Sequence, residues 1–409
     1  MQNRVKPELL SPAGDFERLQ AAALYGADAI YLGGKTFGMR ASPQNFDYEQ
    51  LAQAAAFCHE RGIMLYLTCN VLPTNAEADL LPEFIRYAAK VGVNAIIAAD
   101  IGVLMTAKRV APELQVHIST QAGVVNYLTA TELFNMGASR VVLARELALE
   151  DIAVIRDKTP PQLQIETFVH GAMCMSFSGR CLISQYMTGR DGNRGECAQP
   201  CRWGYHLMEE KRQGQFFPVY EDEQGSYILN AQDLCMLPYL DKLAAAGVSS
   251  FKIEGRAKSA YYVAAITNAY RQAIDLYTAN PKQYEIPEWL REEVCKVSHR
   301  QYSTGFYVKD SLPAQYYESG GYVRNWEVVA VVEGWEDGML LCSVRNRFFA
   351  GSGLEALIPG KQSQKLTVLQ ILTEDGEALE VANHPMMRIR LPDMPNLPQG
   401  SMLRMEVKA

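Results

Sequence analysis

Along the first three-fifths of the chain, short apolar runs alternate with stretches whose apolar residues recur every three or four positions. The runs are ELLSPAG (8–14), DAIYLGG (28–34), IMLYLTCNV (63–71), AIIAAD (95–100), VHISTQAG (116–123), RVVLARE (140–146), QIETFVHG (164–171) and SFKIEG (250–255). Each is nearly continuous in apolar residues, as a strand buried on both faces of a parallel sheet must be. The stretches between them, such as FERLQAAALYGA and YEQLAQAAAFCHERG, carry the helical period. Gly26, Gly62, Gly92, Gly137 and Gly247 close five of these stretches, where a helix ends and a strand begins. Eight strands, each followed by a helix, predict a (β/α)8 barrel. An open doubly wound sheet is the alternative, but its first turn is glycine-rich, and SPAGD has one glycine.

The connections are short except after the seventh strand. There the chain runs about 60 residues before the next helix, LCMLPYLDKLAAAG, against the usual two to six. Past the eighth strand comes the helix SAYYVAAITNAYRQAIDLYTA, then the polar stretch GFYVKDSLPAQYYESGGY. From Glu327 the pattern turns to short alternating strands punctuated by Gly, Asp and Asn. The expected organisation is a barrel over 1–310 with an insertion at 171–233, a linker over 311–326, and a small all-β barrel over 327–409.

The net charge of −7 excludes nucleic-acid binding through bulk charge and leaves only a local basic patch. The N-terminus lacks the apolar stretch of a signal peptide. No segment approaches the roughly 20 apolar residues of a membrane span. A cytoplasmic protein is therefore expected, with no membrane partner and few disulfides.

That compartment changes the meaning of the cysteines. Five of nine fall at Cys174, Cys181, Cys197, Cys201 and Cys235, the first four inside the long insertion. Cys58, Cys69, Cys295 and Cys342 stand alone and read as packing residues. Only Cys197 and Cys201 have the spacing of a zinc knuckle, and ferredoxin spacing is absent. Spacing alone therefore leaves an iron–sulfur centre, zinc and redox dithiols open.

The polar residues at the strand ends mark the candidate active face, because barrel chemistry sits at the C-terminal ends of the strands. They are Ser11, Asn70, Asp100, Ser119, Thr120, Gln121, Arg145, Glu146, His170, Glu254 and Arg256. In the insertion, Arg180, Arg190, Arg194 and Arg202 outnumber Asp191 and Glu196, with Tyr186, Trp203 and Tyr205 between them. Such a patch suits phosphates and a stacked base, or equally the bracing of a thiolate site. In the C-terminal region RNRFFAG, with Arg345 and Arg347, is a second surface of either kind.

The run ETFVHGAMCMSFSGRCLIS (166–184) resembles the signature of the peptidase U32 family. Glu166, Phe168, Gly171, Ala172, Met173, Cys174, Gly179, Cys181, Ile183 and Ser184 match every fixed position. ELLSPAGD, GADAIYLGG, HISTQAGVVN, RVVLARELALEDI, NRGECAQPCRWGY and SFKIEGRAKSAYYVA are similar to other stretches of the family.

The resemblance implies more than the spacing does. NRGECAQPCRWGY and the small β domain look most like the branch that hydroxylates tRNA, making 5-hydroxyuridine at the wobble position with prephenate as co-substrate. That branch implies a [4Fe-4S] cluster on Cys174, Cys181, Cys197 and Cys201, with Cys235 as a substitute for the fourth ligand and zinc as the alternative metal. Its implied partners are tRNA, prephenate and a second protein of the same family. Arg145 and Arg256 are the candidates for a dicarboxylate, because guanidinium binds carboxylate in bidentate fashion. His170 and Glu254 are candidates for proton transfer, and Arg194, Arg202 and Trp203 for substrate contact. Two other readings stand beside this one: the proteolysis in the family's name, and a non-catalytic metal scaffold. The chain has no His-Glu-x-x-His and no nucleophile elbow, which leaves Cys174 with His170 as the one candidate pair for proteolysis.

Overall fold

The computed structural model describes residues 6–38, 45–173, 181, 183–190, 196–200, 232–308 and 322–407, with two-residue strands at 207–208, 216–217, 221–222 and 225–226. Strands β1 (Glu8–Pro12), β2 (Ala29–Gly33), β3 (Met64–Cys69), β4 (Ala95–Ala98), β5 (Gln115–Ile118), β6 (Arg140–Val142) and β7 (Gln164–Ala172) pair in sequence order, all parallel. The strand Ser250–Ile253 pairs with both β7 and β1 and closes the ring at eight. This is the expected (β/α)8 barrel. Its turn glycines lie at positive φ, from 67° at Gly62 to 104° at Gly137.

Side-chain caps fix where the helices start. Asp15 accepts the Arg18 N–H at the head of α1 (Phe16–Leu24), Asp47 forms a capping box with Gln50, and Ser259 accepts the Tyr262 N–H at the head of the long helix Ala260–Ala279.

One expected element differs. Leu234 and Cys235 do not begin a helix; Asp233–Cys235 is a strand, β8, antiparallel to β7 on the barrel's flank. Pro238 sits in a single 3-10 turn, and the α-helix runs only over Leu240–Ala245. Asp233 is the reason: its carboxylate accepts from the Arg300 backbone N–H and from the guanidinium (2.7–3.0 Å). That pins the segment beside the strand Tyr302–Ser303, with which it pairs. With that strand on one side and β7 on the other, its backbone hydrogen bonds go to sheet partners, not to a helix.

The barrel interior is divided. Leu10, Ala29, Tyr31, Tyr66, Ala95 and Ile97 form an apolar cluster contributed by β1 to β4. The other half is charged. Glu166, fully buried, accepts from Arg140 (2.9 Å) and Lys252 (2.8 Å), and Arg140 also reaches Glu8 (2.6 Å). Burial alone would raise the Glu166 carboxyl; Lys252 and Arg140 outweigh it and hold the group below the usual range.

The C-terminal region forms an eight-stranded antiparallel sheet with its own apolar core, its long central strand running over Trp326–Glu336. The two units are joined by a buried bidentate ion pair, Arg404 with Glu293 (both bonds 2.7 Å), and by Lys296 with Glu355. The Tyr25 hydroxyl donates to the Leu357 and Gly400 carbonyls. The linker expected over 311–326 lies largely outside the described residues. No helix among the described residues is long and apolar enough to cross a membrane.

Candidate active site at the mouth of the barrel

At the C-terminal end of the ring, Arg256 reaches across from the eighth barrel strand to the second and third. Its Nη1 donates to the Thr68 Oγ (2.9 Å), and the residue is 6% exposed. A Cβ on Gly33 would overlap this Nη1 and stand 2.8 Å from Cζ. Gly33 is therefore the space through which the guanidinium passes. Glu254, two residues earlier and 9% exposed, accepts from the Tyr31 hydroxyl at 3.3 Å. On the next part of the rim, Asn70 donates to Gln121, which also meets the Ser119 hydroxyl (3.2 Å). Arg145 stacks over the Phe168 ring, 3.8 Å from its centroid, and donates to the Ala172 carbonyl. Its Nε is buried with no partner among the described residues.

The mouth thus brings together Arg256, Glu254 and Arg145 from the expected set and adds Tyr31, Thr68 and Gly33. Nothing in the sequence marked these three, because a strand tyrosine, threonine or glycine is ordinary. Two expected rim residues serve the scaffold instead. The Ser11 hydroxyl bonds to Thr267 behind the strand, and Asp100 caps a helix by accepting the Val103 N–H.

His170 is placed elsewhere. Phe168 pairs with Lys252, but the next pair is His170 with Ile253, so Val169 is an extra residue in β7. The side-chain alternation flips there, and His170 turns from the mouth into the layer behind the sheet. Its ring nitrogens face the hydroxyls of Tyr270 and Tyr302, each at 3.3 Å, and it is 1% exposed. Burial pushes its pKa down to about 3 and keeps it neutral. Cys235 shares that layer. The residue is half-buried, but its thiol is enclosed, 4.0 Å from the Tyr270 hydroxyl, and burial raises its pKa to about 11.

The signature residues have legible structural tasks. Glu166 anchors the charged half of the core, and Phe168 carries Arg145. Gly171 lies at φ 108°, where a Cβ would overlap the Glu254 carbonyl. Ser184, 1% exposed, accepts the Ala198 N–H (3.0 Å) and so ties the segment after Cys181 to the one holding Cys197. Cys181 and Cys197 are both free thiols, half-buried and exposed respectively. As a pair of soft donors on tethered segments they fit a thiolate-bound iron–sulfur cluster or zinc. Cys174, Cys201, Arg194, Arg202 and Trp203 lie outside the described residues. Among the described residues, no group of three or more His, Cys, Asp or Glu is arranged to hold a metal. Cys58, Cys69 and Cys342 are buried, whereas Cys295 is exposed.

The chain is 36% identical over 391 residues to tRNA hydroxylation protein P1 of Bacillus subtilis, covering 94% of this chain and 91% of that one. It is 34% identical to tRNA hydroxylation protein P of Escherichia coli, covering 92% and 91%. An uncharacterized protease of Methanocaldococcus jannaschii is 40% identical over 309 residues, 75% of this chain and 74% of that one. The model of peptidase family U32 matches residues 14–315, and that of the family's C-terminal domain matches 324–404. The chain belongs to the peptidase U32 family.

Proposed function

We propose that this protein is a tRNA hydroxylase, converting a wobble uridine to 5-hydroxyuridine with prephenate as co-substrate. The observation that carries the reading is its likeness, over more than nine-tenths of its length, to two proteins named for tRNA hydroxylation. The mouth supports it. Arg256, held by Thr68, and Arg145, stacked on Phe168, supply two guanidinium groups at the rim, the chemistry a dicarboxylate needs. Glu254, hydrogen-bonded by Tyr31, is placed to accept a proton there.

Cys174, Cys181, Cys197 and Cys201 are the proposed ligands of a [4Fe-4S] cluster. Held by these cysteines, a cluster would supply electron transfer or a Lewis-acidic iron. Arg194 and Arg202 are assigned to the phosphates of tRNA, and Trp203 to stacking on the displaced base. A second family member is a proposed partner.

The peptidase reading loses support at His170. A base for Cys174 needs a free ring nitrogen, and both nitrogens of His170 face buried tyrosine hydroxyls. Mass spectrometry of tRNA from a strain lacking the gene separates the readings. Loss of 5-hydroxyuridine supports the hydroxylase; intact modification with altered protein turnover supports the peptidase. Purification under anaerobic conditions as a colourless, zinc-loaded protein would remove the cluster from the proposal.

A further inference from the structure

We propose that Ser184 and the left-handed turn at Gln199 position Cys197 within the thiolate site. The inference rests on the metal-binding reading of the cysteines and assigns two residues that have no ligand role themselves.

Ser184 lies on the short helix Ile183–Thr188, three residues after Cys181, and is 1% exposed. Its hydroxyl has one described task in this region, accepting the N–H of Ala198, the residue that follows Cys197. The bond spans 14 residues of chain. It therefore sets how far the Cys181 segment stands from the Cys197 segment, which sequence spacing leaves free. The second device sits two residues past Cys197. Gln199 adopts φ 58°, a conformation that residues with a Cβ rarely take. In that conformation its backbone N–H donates to the Cys197 sulfur at 3.4 Å. An N–H···S bond aims the sulfur, and hydrogen bonds of this kind are a recognised control on cysteine-held clusters. One bond thus places the backbone beside Cys197, and the other orients its side chain.

The two devices make opposite demands on substitution, which supplies the test. Wild type, Ser184→Ala, Ser184→Thr, Gln199→Val and Gln199→Gly are purified anaerobically, and iron and sulfide per chain are measured with the thermal midpoint. Thr keeps the hydroxyl, and Gly keeps both the N–H and the left-handed turn, so these two retain wild-type iron. Ala removes the acceptor and Val resists the turn, so these two lose iron severalfold, while the midpoints of the metal-free proteins stay close to one another. Wild-type iron in both Ser184→Ala and Gln199→Val overturns the proposal.

A metal-free readout covers the case in which the wild-type protein holds no iron. The yield of the Cys181–Cys197 peptide bridged by dibromobimane, identified by mass spectrometry, is expected to fall severalfold in Ser184→Ala and to hold in Ser184→Thr. Equal yields in all three proteins overturn the positioning role. Iron-free wild type with the expected bridging pattern sinks the cluster reading alone.

Discussion

Gly33 and Arg256 are sterically complementary across the barrel mouth: the guanidinium of one occupies the place where any side chain of the other would be. Thr68 completes the arrangement by accepting from Nη1 at 2.9 Å. Arg256 is therefore held in position by the absence of a side chain on β2 and by a hydroxyl on β3.

Gly33→Ala should displace Arg256 while leaving the barrel folded. A misplacement on the order of 1 Å in a substrate-orienting group costs about 100-fold in turnover. The expected result is a fall of that size in hydroxylation by purified enzyme, matched by Arg256→Lys, which loses the bidentate fork. Iron content and thermal midpoint should stay close to wild type. Full activity in Gly33→Ala would remove Arg256 from the site.

Glu166→Gln addresses the core. It leaves Lys252 and Arg140 buried without their shared anion, a change that costs about 3–5 kcal/mol, read as a lower urea midpoint. The same group sets an acid limit. Its carboxyl is held below its ordinary value, so its contribution is complete above the normal glutamate range and is lost as pH falls through the depressed folded value. Wild-type stability should drop on acidification below that range, with a shallower slope in the variant.

His170→Gln separates a structural histidine from a catalytic one. The folded pKa, near 3, lies below the unfolded value, so neutral His170 stabilises the protein fully above about pH 6.5. That stability is lost progressively as the pH falls toward 3. The variant should flatten this part of the pH–stability curve and keep turnover within a few-fold of wild type. If turnover instead fell by about two orders of magnitude, as removal of a general base does, at an unchanged midpoint, His170 would return to the chemistry.

The barrel was legible because buried parallel strands are continuous apolar runs and helix ends need glycine, both visible at Gly26 through Gly247. The placement of His170 was not. Period-two alternation from Glu166 through Phe168 carries it into the mouth, and only a pairing register reveals Val169 as the extra residue. β8 was missed for a related reason. The strand Asp233–Cys235 exists because Arg300, far along the chain, holds Asp233. Arg256 and Glu254 could be named from their place at a strand end. Gly33 and Thr68 could not, because their role is a distance to Arg256.

Arg404→Ala tests the junction of the two units. Arg404 and Glu293 are 0% and 1% exposed, so removing one partner strands a buried charge at a cost of about 3–5 kcal/mol. Calorimetry should show a lower midpoint or a split transition. A single transition at the wild-type midpoint would mean that this pair does not couple them.

Reconstitution decides whether this protein hydroxylates tRNA with prephenate. Anaerobically purified protein with its metal, the second family member proposed as its partner, tRNA lacking the modification and prephenate are combined, and the wobble nucleoside is identified by mass spectrometry. Wild type is expected to yield 5-hydroxyuridine, dependent on prephenate, and Arg256→Ala none. Unmodified uridine with fully metal-loaded wild type and its partner would overturn the hydroxylase assignment, and equal product from Arg256→Ala would remove Arg256 from the site.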